Sequence, residues 1–147
     1  MPRMKRLLVL AIAALLFVVA GCKGTAELTL GTVGNTMVYD QTSLTVKAGQ
    51  KVHLVLKNNG NTQAMQHNWV LAKPGTEAAV AEAGGQAGAG SNYVKMNDPN
   101  VIASTPISAP ETSTEVIFTA PDPGSYPFLC TFPGHAATMK GTLTVTP

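Results

Sequence analysis

Polar and apolar residues alternate along most of the chain with the two-residue period of half-buried strands. Leu28 and Leu30 begin the pattern after Ala26, Val33 follows, and Met37 and Tyr39 continue it. Residues 42–46 form a β-prone run ended by the turn signal Lys47-Ala48-Gly49-Gln50, and residues 52–56 read as the next strand. Asn58-Asn59-Gly60-Asn61 is a loop cluster, and residues 67–72 are expected to form a strand closed by Pro74-Gly75. Trp69 follows His67 by two, so the two share a face, and the indole belongs in the core. After the turn Asn97-Asp98-Pro99-Asn100 comes a short strand at 101–102. Residues 114–119 then place Val116 and Phe118 on one face and Glu115 and Ile117 on the other. Pro121-Asp122-Pro123-Gly124 is a turn in which proline fixes φ and glycine permits a positive value. The last strands are 126–130 and 141–145.

Residues 76–90 break the period. The Ala/Glu-rich run 77–83 predicts two helical turns, ended by Gly84, Gly85, Gly88 and Gly90. The whole pattern predicts an all-β fold, a Greek-key β-sandwich or barrel, with a short helical flap inserted over the strands. Residues 26–147 are enough for one domain with one core, and neither an internal repeat nor a long linker suggests a second.

The first 21 residues have a different character. Arg3, Lys5 and Arg6 precede an apolar run from 7 to 20, shorter than the roughly 20 residues a spanning helix needs. Small residues close the run in Val19-Ala20-Gly21-Cys22. This reads as an export signal over 1–21, and its ending resembles a bacterial lipobox. Cys22 would then be lipidated, residues 22–25 would be a tether, and the domain would sit on the extracytoplasmic face of a membrane. An uncleaved N-terminal anchor is the alternative.

Export changes the charge balance. The full chain has 10 Lys+Arg and 8 Asp+Glu; removing the signal leaves seven basic and eight acidic groups, a net charge of −1 with histidine neutral. The mature part has no arginine and no basic patch, which excludes nucleic-acid binding and weakens a phosphate-binding role. Two cysteines in an oxidising compartment would suggest a Cys22–Cys130 disulfide. Lipidation of Cys22 would instead leave Cys130 a free thiol, and metal ligation explains such a thiol.

The chemistry concentrates in Cys130-Thr131-Phe132-Pro133-Gly134-His135-Ala136-Ala137-Thr138-Met139, a loop between two strands. A thiolate, an imidazole and a thioether within ten residues suit copper in a trigonal His₂Cys site with a long axial methionine. The second histidine must come from elsewhere, and Met65-Gln66-His67-Asn68-Trp69-Val70 supplies it. His53, alone in its strand, reads as an ordinary surface histidine.

These motifs, with Met139-Lys140-Gly141-Thr142-Leu143-Thr144 and Asn97-Asp98-Pro99-Asn100-Val101-Ile102-Ala103, closely resemble the azurin/auracyanin group of blue copper proteins, the cupredoxins. The lipobox, Gln66 before the first histidine and the lack of a third cysteine look more like auracyanins than azurins, which carry an additional disulfide. The resemblance implies one copper ion, cycling between Cu(I) and Cu(II), held by His67, Cys130 and His135. Met139 would be the axial ligand, and the Gln66 carbonyl would make a weak contact opposite. It implies that Asn68 bonds across to the Cys130 loop, and that the backbone N–H groups of Asn68 and Phe132 point at the sulfur. The loop from 130 to 139 carries no charge, so the His135 ring edge is expected to reach the surface among Phe132, Pro133 and Ala136 as a docking site for redox proteins. The resemblance implies that Met37 and Met65 join this patch, whereas their residue type alone would equally suit the core.

Four side chains and a carbonyl leave no open position for a substrate, so the expected function is electron transfer and not catalysis. The protein is expected to be a monomer serving a photosynthetic or respiratory chain. Three alternatives compete. Copper delivery favours Met- and His-rich open sites, whereas only six methionines occur and two lie in the signal. A nitrite-reductase-like enzyme needs further histidines, and only His53 is left over. A structural zinc site prefers four strong ligands.

Overall fold

The computed structural model describes residues 24–147, so the expected signal at 1–21 and Cys22 lie outside the described residues. The described residues form eight strands: β1 (Ala26–Gly31), β2 (Ser43–Lys47), β3 (Lys51–Lys57), β4 (Val70–Ala72), β5 (Val101–Ser104), β6 (Ser113–Thr119), β7 (Gly124–Leu129) and β8 (Lys140–Thr146); burial alternates along β2, β3 and β6, whereas β4 is buried throughout. They form a three-stranded sheet, β1-β3-β6, and a five-stranded sheet, β2-β8-β7-β4-β5. Neither sheet closes on itself, so the fold is a sandwich and not a barrel. β1 runs parallel to β3 and β2 parallel to β8, and the other pairings are antiparallel.

The inward faces meet in one core. Leu30, Leu54 and Leu56 from the smaller sheet pack with Leu71, Phe128 and Leu143 from the larger, around Trp69. Trp69 lies between two phenylalanine rings, with centroids 5.7 Å from Phe118 and 5.8 Å from Phe128. Truncating such an aromatic to alanine costs about 3–5 kcal/mol. β6 is sided as expected: Val116 and Phe118 pack against the core while Glu115 and Ile117 face solvent.

Three local expectations are corrected. Met37 and Tyr39 do not continue β1. They lie in a turn-rich crossing from one sheet to the other, joined to the end of β1 by a single Thr32–Tyr39 bridge. His67 lies outside the regular ladder, because β4 begins only at Val70. Its backbone instead exchanges two hydrogen bonds with Ser108, at 3.2 and 2.7 Å. The flap helix, α1 (Glu77–Ala87), runs on through Gly84 and Gly85 and stops at Gly88, whose φ is +73°. A Cβ at Gly84 would run into the Tyr93 carbonyl and Thr131, so that glycine permits close packing rather than ending the helix. Among the described residues no helix is long and apolar enough to cross a membrane.

Candidate metal centre

The loop after β7 is built to hold its side chains still. Phe132-Pro133-Gly134-His135 is a turn closed by the His135 N–H on the Phe132 carbonyl at 3.0 Å. Proline at the second position and Gly134 at φ +85° at the third make it type II. The chain then makes one helical turn, with the Met139 N–H on the His135 carbonyl at 2.9 Å. The Cys130 N–H meets the Met139 carbonyl at 3.0 Å, closing the loop beyond the β7–β8 ladder.

Asn68 ties this loop to the His67 segment. Its side-chain oxygen accepts the Thr131 N–H at 2.8 Å. Its amide group reaches the Thr131 hydroxyl at 2.8 Å and the Asn92 carbonyl at 2.9 Å. The Thr131 hydroxyl donates to the Tyr93 carbonyl, so the flap is held to the same point. Thr131, Asn92, Tyr93 and Ser108 were not singled out from the sequence. Thr131 carries the one available signal, a hydroxyl in an otherwise apolar stretch. The backbone N–H groups of Asn68 and Phe132 both reach the Cys130 sulfur.

Three donors converge. The Nδ1 atoms of His67 and His135 are 3.2 Å apart, and the Cys130 sulfur lies 3.9 Å from the first and 3.7 Å from the second. The circle through these atoms has a radius of about 2.1 Å, close to the roughly 2.0–2.1 Å and 2.3 Å of metal–imidazole and metal–thiolate bonds. An ion at its centre would meet all three in one plane. All three residues are buried, and His135 alone keeps a trace of exposure, 4 %. Burial, aided by the nearby His135, pushes the His67 pKa down to about 4. Burial also lowers that of His135. Burial raises the Cys130 thiol to about 11, although the Asn68 and Phe132 N–H groups pull it the other way. Both imidazoles are therefore neutral, with lone pairs available, and the thiol needs a cation to ionise. A soft thiolate with two imidazoles is a copper donor set, and these residues fit it.

The other residues expected at the site are placed as follows. Met139 is fully buried beside the loop closure. Gln66 precedes the His67–Ser108 bridge and is half-buried. Phe132 packs against the His135 ring, with centroids 4.6 Å apart, and against the Tyr93 ring at 4.9 Å. Met37 and Pro133 are exposed, and Met65 and Ala136 are half-buried. Val33 and Val38 are also exposed, in the same crossing as Met37. Its link to the ligand loop is direct: the Thr138 hydroxyl donates to the Met37 carbonyl at 3.0 Å. His53 stands apart, on the outer face of β3, bonded to Glu27 at 2.7 Å and Glu115 at 2.8 Å.

The chain is similar to characterised proteins in sequence and in fold. The family model for copper binding proteins of the plastocyanin/azurin family matches residues 26–146. Auracyanin-A of Chloroflexus aurantiacus is 44% identical over 124 residues, covering 83% of this chain and 75% of the relative. An azurin of Achromobacter denitrificans is 37% identical over 142 residues, covering 92% of each. The solved structure of auracyanin A, described as a "blue" copper protein of a green thermophilic photosynthetic bacterium, superposes with a TM-score of 0.79 at 43% identity. That alignment covers 84% of this chain and 100% of the other.

Proposed function

The chain belongs to the plastocyanin/azurin family of copper binding proteins, and from that membership we propose that it is an exported, membrane-anchored blue copper protein that passes single electrons between partners of a photosynthetic or respiratory chain. Residues 1–21 serve as the signal, lipidated Cys22 with residues 23–25 as the tether, and residues 26–147 as the copper domain. The observation that carries the reading is the buried convergence of His67, Cys130 and His135.

Copper held there supplies a Cu(I)/Cu(II) couple. The residues do the rest. His67, Cys130 and His135 would hold the ion as its strong ligands, with Met139 and the Gln66 carbonyl as weaker contacts. The type II turn and the Asn68 bonds keep the donors in one arrangement in both oxidation states, so little reorganisation accompanies the electron. The N–H groups of Asn68 and Phe132 withdraw charge from the sulfur and the surrounding apolar core keeps water out; both raise the potential. Partners dock transiently over His135, on the patch of Met37, Met65, Phe132, Pro133 and Ala136, with Val33 and Val38 extending it. The working unit is a monomer.

The test is a visible and EPR spectrum of the purified protein after adding Cu(II), with Cys130→Ser beside it. An intense blue charge-transfer band with narrow copper hyperfine splitting, absent from the variant, is expected. A pale spectrum of ordinary tetragonal copper would overturn the reading.

A further inference from the structure

Of the three tyrosines only Tyr39 is buried. It lies where the chain crosses between the sheets, its ring edge-on to Phe128 with centroids 5.6 Å apart. Phenylalanine would pack in the same way without the cost of burying a hydroxyl. The hydroxyl has one defined task in the structure: it donates to the carbonyl of Asn68 at 2.6 Å, across 29 positions of sequence.

Asn68 meets the metal site through both its backbone and its side chain. Its backbone N–H reaches the Cys130 sulfur, and its side chain binds the ligand loop through Thr131. The peptide that follows it is pinned at both ends. The Tyr39 phenol holds its carbonyl, and its N–H, that of Trp69, donates to the Thr105 hydroxyl at 3.0 Å. The orientation of residue 68 therefore depends on the crossing segment, which carries no metal ligand of its own.

We propose that Tyr39 is a positioning residue of the metal centre: by holding the Asn68 carbonyl it keeps the Asn68 N–H on the Cys130 sulfur and thereby sets the redox potential. The inference rests on the copper reading above. An N–H on a thiolate draws charge from the sulfur and weakens the donation that favours oxidised copper, so a slackened contact lowers the potential. The phenol remains a donor at every working pH, because burial raises its pKa well above the ordinary value and the nearby Cys130 raises it further.

Tyr39→Phe in the full-length protein tests this. The copper-loaded variant is expected to keep its metal stoichiometry, to show a lower potential and to shift its sulfur-to-copper charge-transfer band. In the metal-free variant, followed by NMR, the Asn68 amide is expected to exchange about tenfold faster than in the parent. The Phe132 amide, which reaches the same sulfur without help from Tyr39, should not change. Tyr39→3-fluorotyrosine, a stronger donor of nearly the same shape, should move the potential the other way. A parent-like potential, band and Asn68 exchange rate in Tyr39→Phe, whatever its stability, would overturn the proposal. If the parent itself shows no blue band, the copper reading fails instead, and the exchange comparison in the metal-free protein still decides whether Tyr39 holds Asn68.

Discussion

The Nδ1 atoms of His67 and His135, 68 positions apart in the chain, face each other at 3.2 Å in the interior. Burial keeps both rings from charging, so at neutral pH each imidazole retains one nitrogen lone pair to offer a cation in this facing arrangement. The fold holds it through the type II turn on one side and the His67–Ser108 bridge on the other. Hydrogen bonds that use none of the three donor atoms thus position them, which lowers the conformational cost of binding.

Preorganisation of this kind fixes the proton count. Metal must displace protons from its ligands. Between about pH 6.5 and the thiol value of about 11, only Cys130 still holds one, since His67 titrates near 4 and His135 is also lowered. Binding of zinc(II), which does not oxidise the thiol, should therefore release one proton per ion at pH 7.5. Calorimetry in two buffers of different ionisation enthalpy measures the number. Affinity should rise about tenfold per pH unit in that range and more steeply near pH 4, where His67 also loses a proton. A release of two or more protons at pH 7.5 would mean that the histidines are not held neutral.

Much of the site was legible because two of its three converging donors, Cys130 and His135, lie in one loop and needed only local reading. His67 was found by its residue type and motif, but its backbone setting was not. Its partner Ser108 is remote in sequence and the pairing is a lone bridge, which leaves no periodic trace. The clamp on Asn68 was half legible. The contact with the Cys130 loop followed from resemblance, whereas Asn92, Tyr93 and Tyr39 act through backbone carbonyls or a phenol that alternation cannot reveal. Strands such as β2, β3 and β6 were read from period two, β4 is buried throughout and carries no such period, and the helix length was misread because glycine serves two purposes.

That double role gives a paired prediction in α1. A methyl at Gly84 would meet the Tyr93 carbonyl and the Thr131 side chain. Since a carbonyl in the backbone cannot swing aside, Gly84→Ala should destabilise by about 1–3 kcal/mol and disturb Thr131. At Gly85, nothing lies within 4 Å of the added methyl. Gly85→Ala should therefore stabilise by about 0.5–1 kcal/mol through helix propensity alone. Urea unfolding of the two variants beside the parent measures both signs, and equal effects would remove the packing explanation.

His53 supplies a pH dependence away from the metal. Hydrogen bonds to Glu115 and Glu27 raise its pKa above the ordinary 6.5. A raised folded-state value means that the folded protein holds the proton more tightly than the unfolded chain. The stabilisation is therefore full below about pH 6.5 and is lost as pH climbs through the raised value. The difference in thermal midpoint between the parent and His53→Gln should be largest at acidic pH and shrink above neutrality. A difference that grows with pH would reverse the assignment. The two partners join β1 and β6 to β3, so the pair acts on the smaller sheet and should leave a copper spectrum untouched.

The segments that build the site carry no charge of their own. Residues 28–39, 58–72, 99–110 and 123–139 contain no Asp, Glu, Lys or Arg. These stretches carry the crossing, the His67 segment, the Ser108 loop and the ligand loop, while Met37 is 39 % exposed beside Thr138. If electrons pass through this face, two copies of the protein can meet there without repulsion. Electron self-exchange between reduced and oxidised forms should then change less than about twofold from roughly 0.02 to 0.5 M salt. Met37→Glu would place a negative charge on each copy at the contact. Self-exchange should fall about tenfold at low salt and recover as salt screens the pair, with the copper spectrum unchanged. NMR line broadening in mixtures of the two forms measures the rate. Self-exchange in Met37→Glu that matches the parent at every ionic strength would place the electron's route at another face.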